Sequence, residues 1–125
     1  MSDEIDIDLV LATLVGRRFP LEDEKQTQAA IHAALLADLD GFVFREHRIE
    51  GGIIDFVVVC HPGPGFVGIE VKLKGQPASI VRQITGYATD PQICGLVLVT
   101  AKAMPMPPMI CGKPVHVFDL GRAWL

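Results

Sequence analysis

Two stretches of this sequence place charge where apolar residues would pack better. In IIDFVVVC, residues 53–60, Asp55 stands alone among Ile, Phe and Val. In FVGIEVKL, residues 66–73, Glu70 and Lys72 interrupt a second apolar run. A carboxylate buried among such neighbours costs several kcal/mol unless it is paired, protonated or bound to a cation. Two carboxylates and a lysine converging from neighbouring strands make a compact site for a divalent cation. Mg²⁺ suits hard oxygen donors and takes few of them from protein, leaving room for water and phosphate oxygens. The plain alternative is that Glu70 and Lys72 lie on a solvated strand face, where an ion pair contributes only about 0–1 kcal/mol.

That chemistry requires strands that bring the charges together. Side chains alternate along a strand, so Glu70 and Lys72 share one face and Ile69, Val71 and Leu73 the other. Residues 53–60 and 66–74 both read as strands, joined by the loop HPGPG. A hairpin of the two lets Asp55 and Glu70 meet. A strand at 42–49 precedes them across the tight turn Gly51-Gly52. Helices are predicted at 5–15, where Ile-Asp-Ile-Asp also permits a strand, at 21–39 and at 77–89, the last with Pro77 in its first turn. Glu22, Asp23 and Glu24 fall in the first turn of the second helix, where the dipole favours acids. Strands are predicted at 95–100 and 115–120, separated by a proline-rich surface connection. These elements describe an α/β chain built around one sheet, with no repeat and no linker.

The chain has 125 residues, half of them hydrophobic, which predicts one domain with a real core. We divide it into an N-terminal helical extension (1–20), a core (21–100) and a proline-rich loop with a last strand (101–125). Charge is uneven. Residues 1–24 carry two bases and seven acids, and the remainder nine bases and eight acids. The near-neutral body shows no basic patch in the sequence. No apolar run is long enough to span a bilayer, and the acidic start is unlike a signal peptide. Cys60, Cys94 and Cys111 lack metal-ligand spacing and read as small core hydrophobes of a reducing, cytoplasmic protein. The four histidines lack zinc spacing, and Gly63-Pro64-Gly65 is too short for a phosphate-cradling loop.

Asp55, a gap of about fifteen residues, and then Glu70-Val71-Lys72 resembles the PD-(D/E)XK nuclease superfamily. Gln83 and Tyr87 in RQITGYA are spaced like the Q-x-x-x-Y motif of its recombination-exonuclease branch, and EDEKQTQAAIHAALL is similar to its first helix. The resemblance runs from Leu21 to Thr100; Ile54 stands where the family often has proline, and no target-recognition domain is visible. It implies a restriction-endonuclease-like α-β-β-β-α-β core, a mixed sheet flanked by helices. It also implies metal-dependent hydrolysis of DNA phosphodiesters, as by a small endonuclease or junction resolvase. Asp55, Glu70 and the Val71 carbonyl would then hold Mg²⁺ or Mn²⁺, and Glu24 would reach it through water or a second ion. Lys72 would act on the attacking water or the transition state, and Gln83 and Tyr87 would position substrate or lysine. The alternative is a catalytically silent module of the same fold that binds or assembles. A homodimer is expected, pairing through Ile5, Ile7, Leu9, Val10 and Leu14 or through the loop from Met104 to Met109.

Overall fold

The computed structural model describes residues 4–124, without the side chains of Ala123 and Trp124. In chain order its elements are α1 (Ile7–Leu14), α2 (Glu24–Leu39), β1 (Val43–Ile49), β2 (Gly52–Val59), β3 (Phe66–Lys72), α3 (Pro77–Ala88), β4 (Ile93–Thr100), β5 (Met109–Ile110), β6 (Lys113–Asp119) and the 3-10 helix η1 (Leu120–Trp124). The six strands form one mixed sheet in the order β1-β2-β3-β4-β6-β5. β1, β2 and β3 form an antiparallel meander, while β4 lies parallel to both β3 and β6. The chain is thus α/β, and α2 to β4 follow in the expected α-β-β-β-α-β order.

Local chemistry accounts for each helix. Asp6 caps α1 by accepting from the Leu9 N–H at 3.0 Å, which decides the Ile-Asp-Ile-Asp stretch in favour of helix. Asp23 caps α2 by accepting from the Lys25 N–H at 2.9 Å, so Glu22 precedes the helix and Glu24 opens it. Thr27, Ile31, Ala34, Leu35 and Leu39 recur at helical spacing and bury one stripe of α2. Pro77 opens α3, which buries Ile80, Ile84, Tyr87 and Ala88.

The helices cover opposite faces of the sheet. α1 and α2 pack on Phe56, Val58, Val67, Ile69, Val71, Val97 and Val99. α3 packs on the other face, against Ile54, Val57, Leu96 and Leu98. β3 and β4 are therefore buried on both sides, which is why their sequences run apolar almost without alternation.

Two expectations are corrected here. Ile5, Val10 and Leu14 lie in the core, with Ile7 and Leu9 packed against it, so the N-terminal segment is no exposed pairing surface. Met104 and Met106 likewise pack on the second core, leaving Met109 exposed. Cys94 and Cys111 are not core residues either: both are exposed, whereas Cys60 is half-buried and packs against the first core, and all three are free thiols. The Cys60 and Cys94 sulfurs lie 3.0 Å apart. Burial, with Cys94 adding, pushes the Cys60 thiol up to about 12. Among the described residues, no helix is long and apolar enough to cross a membrane.

Candidate active site

β2 loses its ladder on both sides at Asp55. Its pairing with β3 runs from Val59↔Phe66 to Phe56↔Ile69 and stops there. Its pairing with β1 is interrupted at one place, where Glu46 and Asp55 would face each other. Glu46 has φ +49°, a left-handed conformation unusual for a side-chain-bearing residue in a strand. Separating strands leave main-chain donors without ladder partners, and a buried N–H needs one. Carboxylates take them up. Glu70 Oε1 accepts from the Asp55 N–H at 3.1 Å, and Asp55 Oδ2 accepts from the Val71 N–H at 2.8 Å. Glu24 Oε1 accepts from the Leu73 N–H at 3.1 Å. The strand divergence thus fixes Asp55 and Glu70 reciprocally and brings Glu24 alongside.

Glu70 is only 2 % exposed, which overturns the solvated-face alternative. Its Oε2 pairs with Lys72 Nζ at 3.3 Å. Behind it stands Tyr87, fully buried on α3, whose hydroxyl accepts from Gln83 Nε2 at 2.8 Å. That hydroxyl lies 3.0 Å from the Ile53 carbonyl and 3.4 Å from Glu70 Oε1, and its single proton serves one acceptor at a time. Tyr87 thus lies within hydrogen-bond reach of Glu70 from the α3 side, and Gln83 holds the Tyr87 hydroxyl.

The electrostatics follow from burial. Burial raises the Asp55 carboxyl above its ordinary range; the Val71 N–H and Lys72 oppose this, and Glu24 and Glu46 add to it. Glu70 is pushed up to about 7, first by burial and then by the charge of Asp55, with the Asp55 N–H and Lys72 pulling back. Burial also pushes the Tyr87 phenol up. Two carboxylates here share one lysine, so the pair is driven toward holding a proton unless another cation binds.

The predicted residues are therefore gathered as follows. Asp55, Glu70 and Lys72 form one contact set, Glu24 joins through the backbone just past β3, and Gln83 and Tyr87 approach it from the opposite sheet layer. Val71 contributes its N–H to Asp55 while its side chain lies in the first core. Glu46 was missed by sequence reasoning. Counting back across the Gly51-Gly52 turn from Asp55 finds it, since the flanking pairs His47↔Ile54 and Arg45↔Phe56 place it opposite.

Asp55 and Glu70 fit a hard divalent cation in donor type, and a cation there would relieve the repulsion between them. Among the described residues no group of three or more His, Cys, Asp or Glu side chains stands ready to hold an ion. A pair of carboxylates matches Mg²⁺, which binds through one or two of them and keeps several waters. Compared with known family models, curated proteins and solved structures, this chain matches none.

Proposed function

We propose that this protein is a metal-dependent nuclease of the PD-(D/E)XK type, hydrolysing phosphodiester bonds of nucleic acid, with DNA the expected substrate. The observation that carries this reading is the buried Glu70 held against Asp55, with Lys72 3.3 Å away on the same strand. Asp55 and Glu70 would hold Mg²⁺ or Mn²⁺, with the Val71 carbonyl as a further donor and Glu24 at its margin. A divalent cation so held supplies Lewis acidity toward a phosphate oxygen and lowers the pKa of a bound water. Lys72 places a positive charge beside the reacting phosphate, where negative charge grows in the transition state. Tyr87 and Gln83 keep Glu70 in one rotamer, which is preorganisation supplied from behind.

A second reading is favoured by one specific observation. Asp55, Glu70 and Glu24 all accept from backbone N–H groups, so they also serve to seal the strand divergence. A silent module of the same fold, binding or assembling without hydrolysis, would keep them for that purpose. The two readings separate in a cleavage assay. Labelled duplex, single-stranded, junction and RNA substrates are incubated with Mg²⁺ or Mn²⁺ and either wild type or Lys72→Ala. The nuclease reading expects cleavage of at least one substrate and its loss by 10²-fold or more in Lys72→Ala, in the range set by removing one electrostatic group. Equal cleavage by both proteins across pH removes Lys72 from the chemistry, and no cleavage of any substrate leaves the silent module.

A further inference from the structure

A cavity of about 220 Å³ opens at the carboxyl ends of the parallel strands β3 and β4. Its lining includes Lys72, Lys74 and Lys102, with Thr100, Ile80 and Met104, and among the described residues no carboxylate. Three of the five lysines in the chain thus line one small cavity of a protein whose net charge is −4. Register explains the gathering. β3 and β4 pair with a constant offset, Gly68↔Leu96 through Lys72↔Thr100, and Lys74 and Lys102 each follow that last pair by two residues. Lys72 is shared with Glu70, but the Lys74 and Lys102 ammonium groups have no ion-pair partner among the described residues. Pro77, the first residue of α3, also lines the cavity. α1 and α2 carry aspartate caps, whereas among the described residues no side chain caps α3, so the positive end of its dipole adds to the three lysines.

The volume selects the ligand. Sites for whole small molecules run about 300–1,000 Å³, so this cavity suits a single anionic group more than a nucleotide with its base. A larger cavity of about 400 Å³, lined by Glu4, Asp38 and Asp40, has the wrong sign for an anion. We propose that the lysine cavity binds a phosphate group of a nucleic-acid strand, next to the phosphodiester that Asp55 and Glu70 act on. This rests on the nuclease reading for the identity of the strand. Lys72 is the link, because it reaches both Glu70 and the cavity. Lys74 and Lys102 then hold the strand in register, and they do so without a metal.

The test is binding of a fluorescent single-stranded oligonucleotide in chelator, by anisotropy across a salt series, for wild type and the Lys74→Ala/Lys102→Ala double variant. Both lysines are exposed, so the variant keeps the wild-type thermal midpoint. The expected result is a tenfold or greater loss of affinity, together with a salt dependence shallower by about 1.4 in log–log slope, two single-strand phosphate contacts at about 0.7 each. Added inorganic phosphate competes with the oligonucleotide for wild type and not for the variant. Equal affinity and slope in the two proteins overturn the proposal, as does a wild type that binds no oligonucleotide. Failure of the nuclease reading looks different. A wild type that binds through these lysines but never cleaves with Mg²⁺ keeps the cavity and loses the chemistry. One that cleaves, with the double variant binding and cleaving equally well, keeps the chemistry and loses the cavity.

Discussion

Burial sets Glu70 to titrate near pH 7, far above the ordinary glutamate value of 4.5. The native state therefore keeps a proton that the unfolded chain has already released. The stability this contributes is complete below about pH 4.5 and is lost as pH rises through about 7. In chelator, wild type should lose on the order of 1–3 kcal/mol between pH 5 and 8 from this group. Glu70→Gln cannot ionise, so its stability should be flatter over that range. His32, whose pKa burial lowers, contributes with the opposite sign, so the informative quantity is the difference between variant and wild type. Parallel slopes measured by thermal unfolding would show that Glu70 ionises as freely folded as unfolded. At this scale the sequence was legible where charge contradicted its surroundings. Asp55 and Glu70 stood out because every neighbour was apolar. Glu46 did not, because it sits in the polar run Arg45 to Arg48 and its left-handed backbone leaves no trace in residue type.

The turn between β1 and β2 docks on α3. A Cβ on Gly51 would lie 2.6 Å from the Gly86 carbonyl carbon and 2.9 Å from the Tyr87 nitrogen, and Gly51 has φ +88°. Backbone cannot step aside cheaply, so Gly51→Ala must move α3, and with it the Tyr87 hydroxyl behind Glu70. Gly112 is the control, with φ +75° and open space around it. Gly112→Ala should cost about 1 kcal/mol from conformation alone. Gly51→Ala should cost roughly 3 kcal/mol or more, the sum of strain and overpacking. Urea unfolding of the two variants checks the contrast; similar midpoints would mean that the turn and helix yield to each other. The Gly-Gly turn, the meander and all three helices were readable because hydrophobic period and turn residues agreed. β4 begins two residues earlier than expected because Ile93 and Cys94 precede a glycine that resembles a boundary. β5 and η1 were unreadable. β5 has two residues and is held to β6 across Cys111 and Gly112, both with positive φ, a device of tertiary pairing and not of local pattern.

Taken whole, the molecule separates what summed charge conceals. The sequence suggests a near-neutral body, yet the fold sets a buried carboxylate pair beside a lysine-lined cavity, joined by Lys72. No scan along the chain shows this, since Lys102 lies 30 residues from Lys72 and reaches it through parallel strand pairing. If a divalent cation completes the carboxylate half, it binds the folded state only and raises its stability by mass action, about 2.7 kcal/mol at one hundred times Kd. Mg²⁺ or Mn²⁺ should therefore raise the thermal midpoint by several degrees. Asp55→Asn, which still offers an oxygen to the Val71 N–H, should fold normally and lose most of that rise. A rise that survives in Asp55→Asn would place the ion elsewhere.

The hydrogen bonds that seal the strand divergence also make this protein its own indicator. The amide protons of Asp55, Val71 and Leu73 each rest on a different carboxylate, from Glu70, Asp55 and Glu24 respectively. Any ion that draws on those carboxylates alters the shielding of all three protons, though they lie in β2, in β3 and just past the end of β3, and only one of them belongs to an acidic residue. In nitrogen-15 spectra, added Mg²⁺ should displace these three resonances along a single binding curve, and Mn²⁺, being paramagnetic, should broaden them first. If they stay sharp and fixed while the thermal midpoint climbs, the carboxylates serve the backbone alone.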